Sequence, residues 1–108
     1  MYDALIYFVS KKELPTVDEY GDVAFAEELK GCLAEVKSVG MKEFYQAQTA
    51  GMKPEIVFEI ADFFDYDNQE EVVYRGMRYK VLRTYRKGVP LEIVCYGGVR
   101  YERSEVGN

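Results

Sequence analysis

Residues Tyr2 to Val9 are apolar at both alternating positions, short, and rich in aromatic and β-branched side chains, which predicts a buried strand rather than a helix. Lys11 to Gly21 then mixes charges with Pro15 and ends in glycine, predicting an exposed connection. Residues 22–39 carry two patterns at once. Phe25, Leu29, Cys32, Leu33 and Val36 fall at helical spacing, while residues 33–39 also support a strand and Lys30-Gly31 has the composition of a turn between two shorter strands. Lys42 to Ala50 consists of good helix formers, with Gly51 where a left-handed helix stop belongs, so one short helix is expected over about residues 42–50.

Pro54 places its missing amide at the start of a strand in which Ile56, Phe58 and Ile60 alternate with Glu55, Val57 and Glu59, the pattern of a half-buried strand. Asp62 to Glu71 gathers acids among Phe63, Phe64 and Tyr66 and reads as a loop whose aromatics pin its base. Glu71–Tyr74, Arg78–Arg86 and Pro90–Tyr96 follow, separated by Arg75-Gly76 and Lys87-Gly88. That is a meander joined by glycine-containing turns, the kind that curls into a small antiparallel barrel. The expected fold is mainly β, with one domain over residues 1–96 and a flexible tail over 97–108.

Composition narrows the chemistry. A chain of 108 residues with 48% hydrophobic content supports one modest core. Its ten tyrosines suit a half-buried sheet surface or a subunit interface. It has no histidine, so neither Cys32 nor Cys95 has an evident activating base, and no common zinc site can be completed. Asp65-Tyr66-Asp67-Asn68-Gln69-Glu70 lacks the central glycine and distal glutamate of a calcium loop, and no glycine-rich phosphate loop occurs. No enzyme activity, metal or cofactor is expected. The longest apolar run is too short to span a bilayer and the start lacks a basic leader region, so a reducing cytoplasm and no membrane partner are expected.

The charge of −5 is unevenly spread: residues 1–74 carry 6 bases and 16 acids, residues 75–108 carry 8 bases and 3 acids. Either the strands fold together and the charges mix on one solvated surface, or complementary patches attract neighbouring subunits head to tail. Arg75, Arg78, Lys80, Arg83, Arg86 and Lys87 interleave with tyrosines, as in a single-strand nucleic-acid platform. Strict alternation, however, puts Tyr79, Val81, Arg83 and Tyr85 on one face and Arg78, Lys80, Leu82, Thr84 and Arg86 on the other, which splits the cations and disfavours that platform.

The order of landmarks is itself informative: Ala34-Glu-Val-Lys-Ser-Val39, Glu43-Phe-Tyr-Gln-Ala47, Ala50-Gly-Met-Lys-Pro-Glu55, Asp65-Tyr66, Val73-Tyr-Arg-Gly76, Tyr79 and Arg83-Thr-Tyr85. Over roughly residues 2–96 this series resembles the head-tail joining, or head-closure, family of siphophages and prophages. The resemblance implies a small antiparallel β-barrel with one short helix, and favours two strands over a helix in residues 22–39. It implies a ring in the virion neck, typically dodecameric, which closes the DNA exit channel and docks the tail. The implied partners are further copies of the chain, the portal or its adaptor, a tail terminator or completion protein, and genomic DNA passing without specific binding. Isolated subunits are expected to stay monomeric until a neighbouring ring templates them, after synthesis in the bacterial host cytoplasm.

Within that reading, the loops around Pro15, Asp18 and Tyr20 and around Asp65, Tyr66 and Asp67 are candidates for gating or partner contact. Arg75, Arg78, Arg83 and Arg86 are candidates for the subunit interface, and an acidic ring would let DNA slide without sticking. The alternative is a small-barrel module that binds single-stranded nucleic acid.

Overall fold

The computed structural model describes residues 1–17, 20–39 and 52–101, with the backbone alone described at 15, 16, 23 and 24. Six antiparallel strands make up the fold: β1 (Ala4–Val17), β2 (Val23–Lys37), β3 (Pro54–Ile60), β4 (Glu71–Tyr74), β5 (Met77–Arg86) and β6 (Leu91–Arg100). They pair in the order β1-β2-β3-β6-β5-β4, and β4 returns to β1 through Tyr7↔Val73, Phe8↔Val72 and Val9↔Glu71. The single sheet therefore closes into a barrel-like ring, as expected. The helix expected over 42–50 lies outside the described residues, among which the helical structure is one 3-10 turn at Phe63–Asp65.

Period-two alternation sends Ile6, Phe8, Ala34, Phe58, Ile60 and Ile93 inward, all fully buried. Phe58 sits among them with Tyr74 and Tyr79 edge-on at 5.3 and 6.2 Å, the geometry that the ring quadrupoles favour. Burying each large side chain of this kind stabilises by about 1.5–3 kcal/mol, so this cluster holds the ring closed.

Four expectations need correction. Lys11 to Gly21 is not a connection as far as Val17: β1 continues, its residues paired with β2 from Ser10↔Glu28 to Glu13↔Phe25 and again at Val17↔Val23. The irregularity between Glu13 and Val17 falls around Pro15, whose lack of an amide proton suits a break in the ladder. Residues 23–37 form one strand rather than two, and Gly31 lies mid-strand opposite Tyr7, whose ring stands against it. The apparent helical spacing is a strand pattern in disguise: 25, 29 and 33 share one parity, 32 and 36 the other.

β3 is buried on both faces rather than one, with outward-facing Val57 and Glu59 also covered. Glu59 tolerates burial because Tyr2 Oη and Lys37 Nζ donate to its carboxylate at 2.8 and 2.9 Å, which holds its pKa below the usual carboxylate range. Finally, residues 97–100 belong to the sheet, not to the expected flexible tail. β6 runs on to Arg100, with left-handed Gly97 (φ 64°) at a shift in register and the Gly98 amide donating to Glu55 Oε1 at 3.0 Å.

Candidate functional site

Two surfaces stand out, one on β1–β2 and one on β5–β6. β1 pairs with β4 only over Tyr7–Val9, and β2 pairs with β3 only over Ala34–Lys37. Beyond those contacts, Ser10–Val17 and Val23–Glu28 project as a two-stranded arm, and the molecule measures 49 × 29 × 24 Å. Along the outward face of β1–β2 run Leu5 and Leu33, a cross-strand pair 49% and 56% exposed, then Leu29, then Phe25 at 63%. An antiparallel strand pair with one face on the core normally turns polar side chains outward; this one turns these four apolar side chains outward among Lys11, Glu13 and Glu27. Residues 13–29 include six acids and no base.

The second surface lies on β5 and β6. Between Val81 and Arg83 the ladder gains one residue on β5, so Val81 faces core residue Cys95 while Arg83 pairs with Val94 and Tyr85 with Glu92. This β-bulge shifts the alternation by one. The expected division of cations between two faces is therefore wrong here: Arg83 and Tyr85 join Arg78 and Lys80 on the outer face, and the Arg83 guanidinium lies 5.6 Å from the Tyr85 ring centre. Over residues 77–100 there are six bases and one acid.

Arg78 is committed within the chain. Its Nε and Nη2 donate to the Glu71 carboxylate at 2.8 and 2.7 Å, and its Nη1 and Nη2 donate to Glu27 on β2. These charge-assisted bonds hold Glu71 below the usual carboxylate range, raise the pKa of Arg78, and tie the base of the arm to the barrel. Lys37 likewise joins β2 to Glu92 on β6 at 3.3 Å. At these places the acidic and basic portions of the chain do mix.

The other expected site residues are dispersed. Arg75 sits in the β4–β5 turn with positive φ, its guanidinium 5.4 Å from the Tyr74 ring centre. Arg86 stacks over Phe63 at 3.5 Å and donates to Gly88 O, closing one end of the barrel. Tyr66 is no free loop residue: its ring meets Phe8 edge-on at 5.3 Å and its hydroxyl donates to Gln69 O at 2.7 Å. The Asp65 carbonyl accepts from Lys30 Nζ, and Asp65 and Asp67 are both exposed. Tyr20 is exposed at the arm tip, Pro15 lies within β1, and Asp18 lies outside the described residues. Sequence reasoning passed over Leu5, Leu29 and Leu33, although their shared parity with Tyr7 or Phe25 would have placed them on one face.

Neither thiol is poised to react, since burial raises Cys32 and pushes Cys95 up to about 12. Among the described residues, no three His, Cys, Asp or Glu side chains are placed to hold a metal ion. No protein-family model matches the chain, and no curated protein matches it either.

Proposed function

We propose that this chain is a structural subunit of a tailed-phage head-tail connector, forming a ring below the portal or adaptor that closes the DNA exit channel and docks the tail. The observation that supports it best is the closed antiparallel barrel, the architecture that the resemblance implies, in which Val73–Gly76 and Arg83–Tyr85 fall on adjoining strands and their turn. Two surfaces of unlike charge add to this, because a ring needs two different surfaces that meet head to tail. Antibody labelling of purified virions should place the protein at the neck, and particles made without it should be tailless heads that leak DNA. Virions that lack the protein and stay infectious would overturn the reading.

One observation favours a second reading, a single-strand nucleic-acid module: the bulge in β5 gathers Lys80, Arg83 and Tyr85 on one face. It predicts oligonucleotide binding at physiological salt that weakens steeply as salt rises, whereas the connector reading predicts negligible binding.

A further inference from the structure

We propose that the arm of one copy, with the outward face of β1–β2 at its base, packs against the β5–β6 wall of the next copy and forms the head-to-tail joint of the assembly. The inference rests on the ring reading and deepens it by naming the two surfaces and the partner, a second copy of this chain.

Position in the ring of strands comes first. In the closed order β1-β2-β3-β6-β5-β4, β2 lies three places from β5 and β1 three places from β6, and the two surfaces touch within one copy where Glu27 meets Arg78. Two unlike patches generate a repeating heterologous contact, whereas a single self-complementary patch stops at a pair. Charge agrees: residues 10–29 hold six acids against the two lysines Lys11 and Lys12, and segment 77–100 holds a sixfold excess of bases over acids. The bulge has brought Arg83 to the outer face beside Lys80, and Arg78 is bound to Glu71 and Glu27.

Apolar surface agrees as well. Phe25, Leu29 and Leu33 stand exposed on one side, and Tyr85, Val89 and Val99 stand exposed on the other. Apolar contact flanked by charge is the composition of a specific interface. Backbone supply points the same way. Among the described residues, β2 from Val23 to Leu33 has no partner strand on the side away from β1, an open edge of the kind that proteins cover or charge.

The test uses the full chain with a photo-crosslinking phenylalanine analogue at position 25, irradiated at high protein concentration and low salt, with adducts mapped by mass spectrometry. Intermolecular adducts should concentrate on residues 77–100 of a second copy. The K80E/R83E variant should lose them roughly tenfold or more, and so should E13K/E28K, because each sets like charges together. Mixing the two variants should restore them, since each arm then meets a wall of opposite charge; circular dichroism of each variant separates misfolding from lost contact. Arm-to-arm adducts, no intermolecular adducts, or competition by an oligonucleotide for the wall would each overturn the inference. Adducts that map elsewhere while the protein remains at virion necks would sink this joint and leave the connector reading standing.

Discussion

The barrel and the arm are built from the same two strands and held by different forces. From Ala4 to Val9, β1 has β2 on one side, β4 at Tyr7–Val9 on the other, and Ile6 and Phe8 sealed in the core. From Ser10 onward the same strand has one neighbour, lysines on both faces beside Glu13, and the exposed ion pair of Lys12 with Glu28 at 3.5 Å. Such a pair is worth little in water, about 0–1 kcal/mol. Burial holds the barrel, while a backbone ladder and one arginine clasp hold the arm. A two-stranded ribbon is marginal alone, so the arm depends on its root.

The sharpest way to break that contrast is to truncate one phenylalanine in each region. Phe58→Ala should cost about 3–5 kcal/mol in the denaturant midpoint, because it empties a sealed site between Tyr74 and Tyr79. Phe25→Ala, in the exposed arm, should stay within about 0.5 kcal/mol. Equal losses would mean that the arm is part of the core.

Arg78→Met tests the clasp. It leaves Glu71, partly covered, without its donors, and partial solvent access moderates the penalty to about 1–2 kcal/mol. Amide exchange should quicken in Ser10–Glu28 more than in β3 and β6. Uniform quickening would show that Arg78 stabilises the whole ring and not the arm's root.

Near neutrality pH should matter least. Glu59 and Glu71 have folded pKa values below 4.5, so their contribution is intact above that value and is lost as pH falls through the depressed ones. Cys95 is raised from 9.0 to about 12, so its contribution is intact below 9.0 and is lost as pH rises toward 12. Thermal melts should show a plateau between these limits. Cys95→Ala should flatten the alkaline limb in particular, and Glu59→Gln the acid one. A melting temperature that falls steadily across the plateau would contradict the assignment.

How far the fold could be read ahead varied with the local driving force. β3, the β4–β5 turn and the meander were readable because apolar alternation, Pro54 and Arg75-Gly76 all point one way. The outer half of β1 was not, because a strand lying off the core has no reason to alternate apolar and polar residues. The β2 pattern misled for the opposite reason. Apolar residues on both faces put Phe25, Leu29, Cys32 and Val36 at spacings that fit a helix as well as a strand.

By itself the sequence determined that this protein is mainly β, centred on one modest core, and segregated into an acidic and a basic portion, because composition and period-two alternation are local properties. Which cations share a surface was decided only in three dimensions. One extra residue in β5 reverses the facing of everything after it, so Arg83 and Tyr85 turned outward to join Lys80, and no alternation rule applied to the chain could have registered that shift. Closure of the ring then placed β1–β2 and β5–β6 on either side of β4, since strands far apart in sequence order became neighbours only when β4 returned to β1.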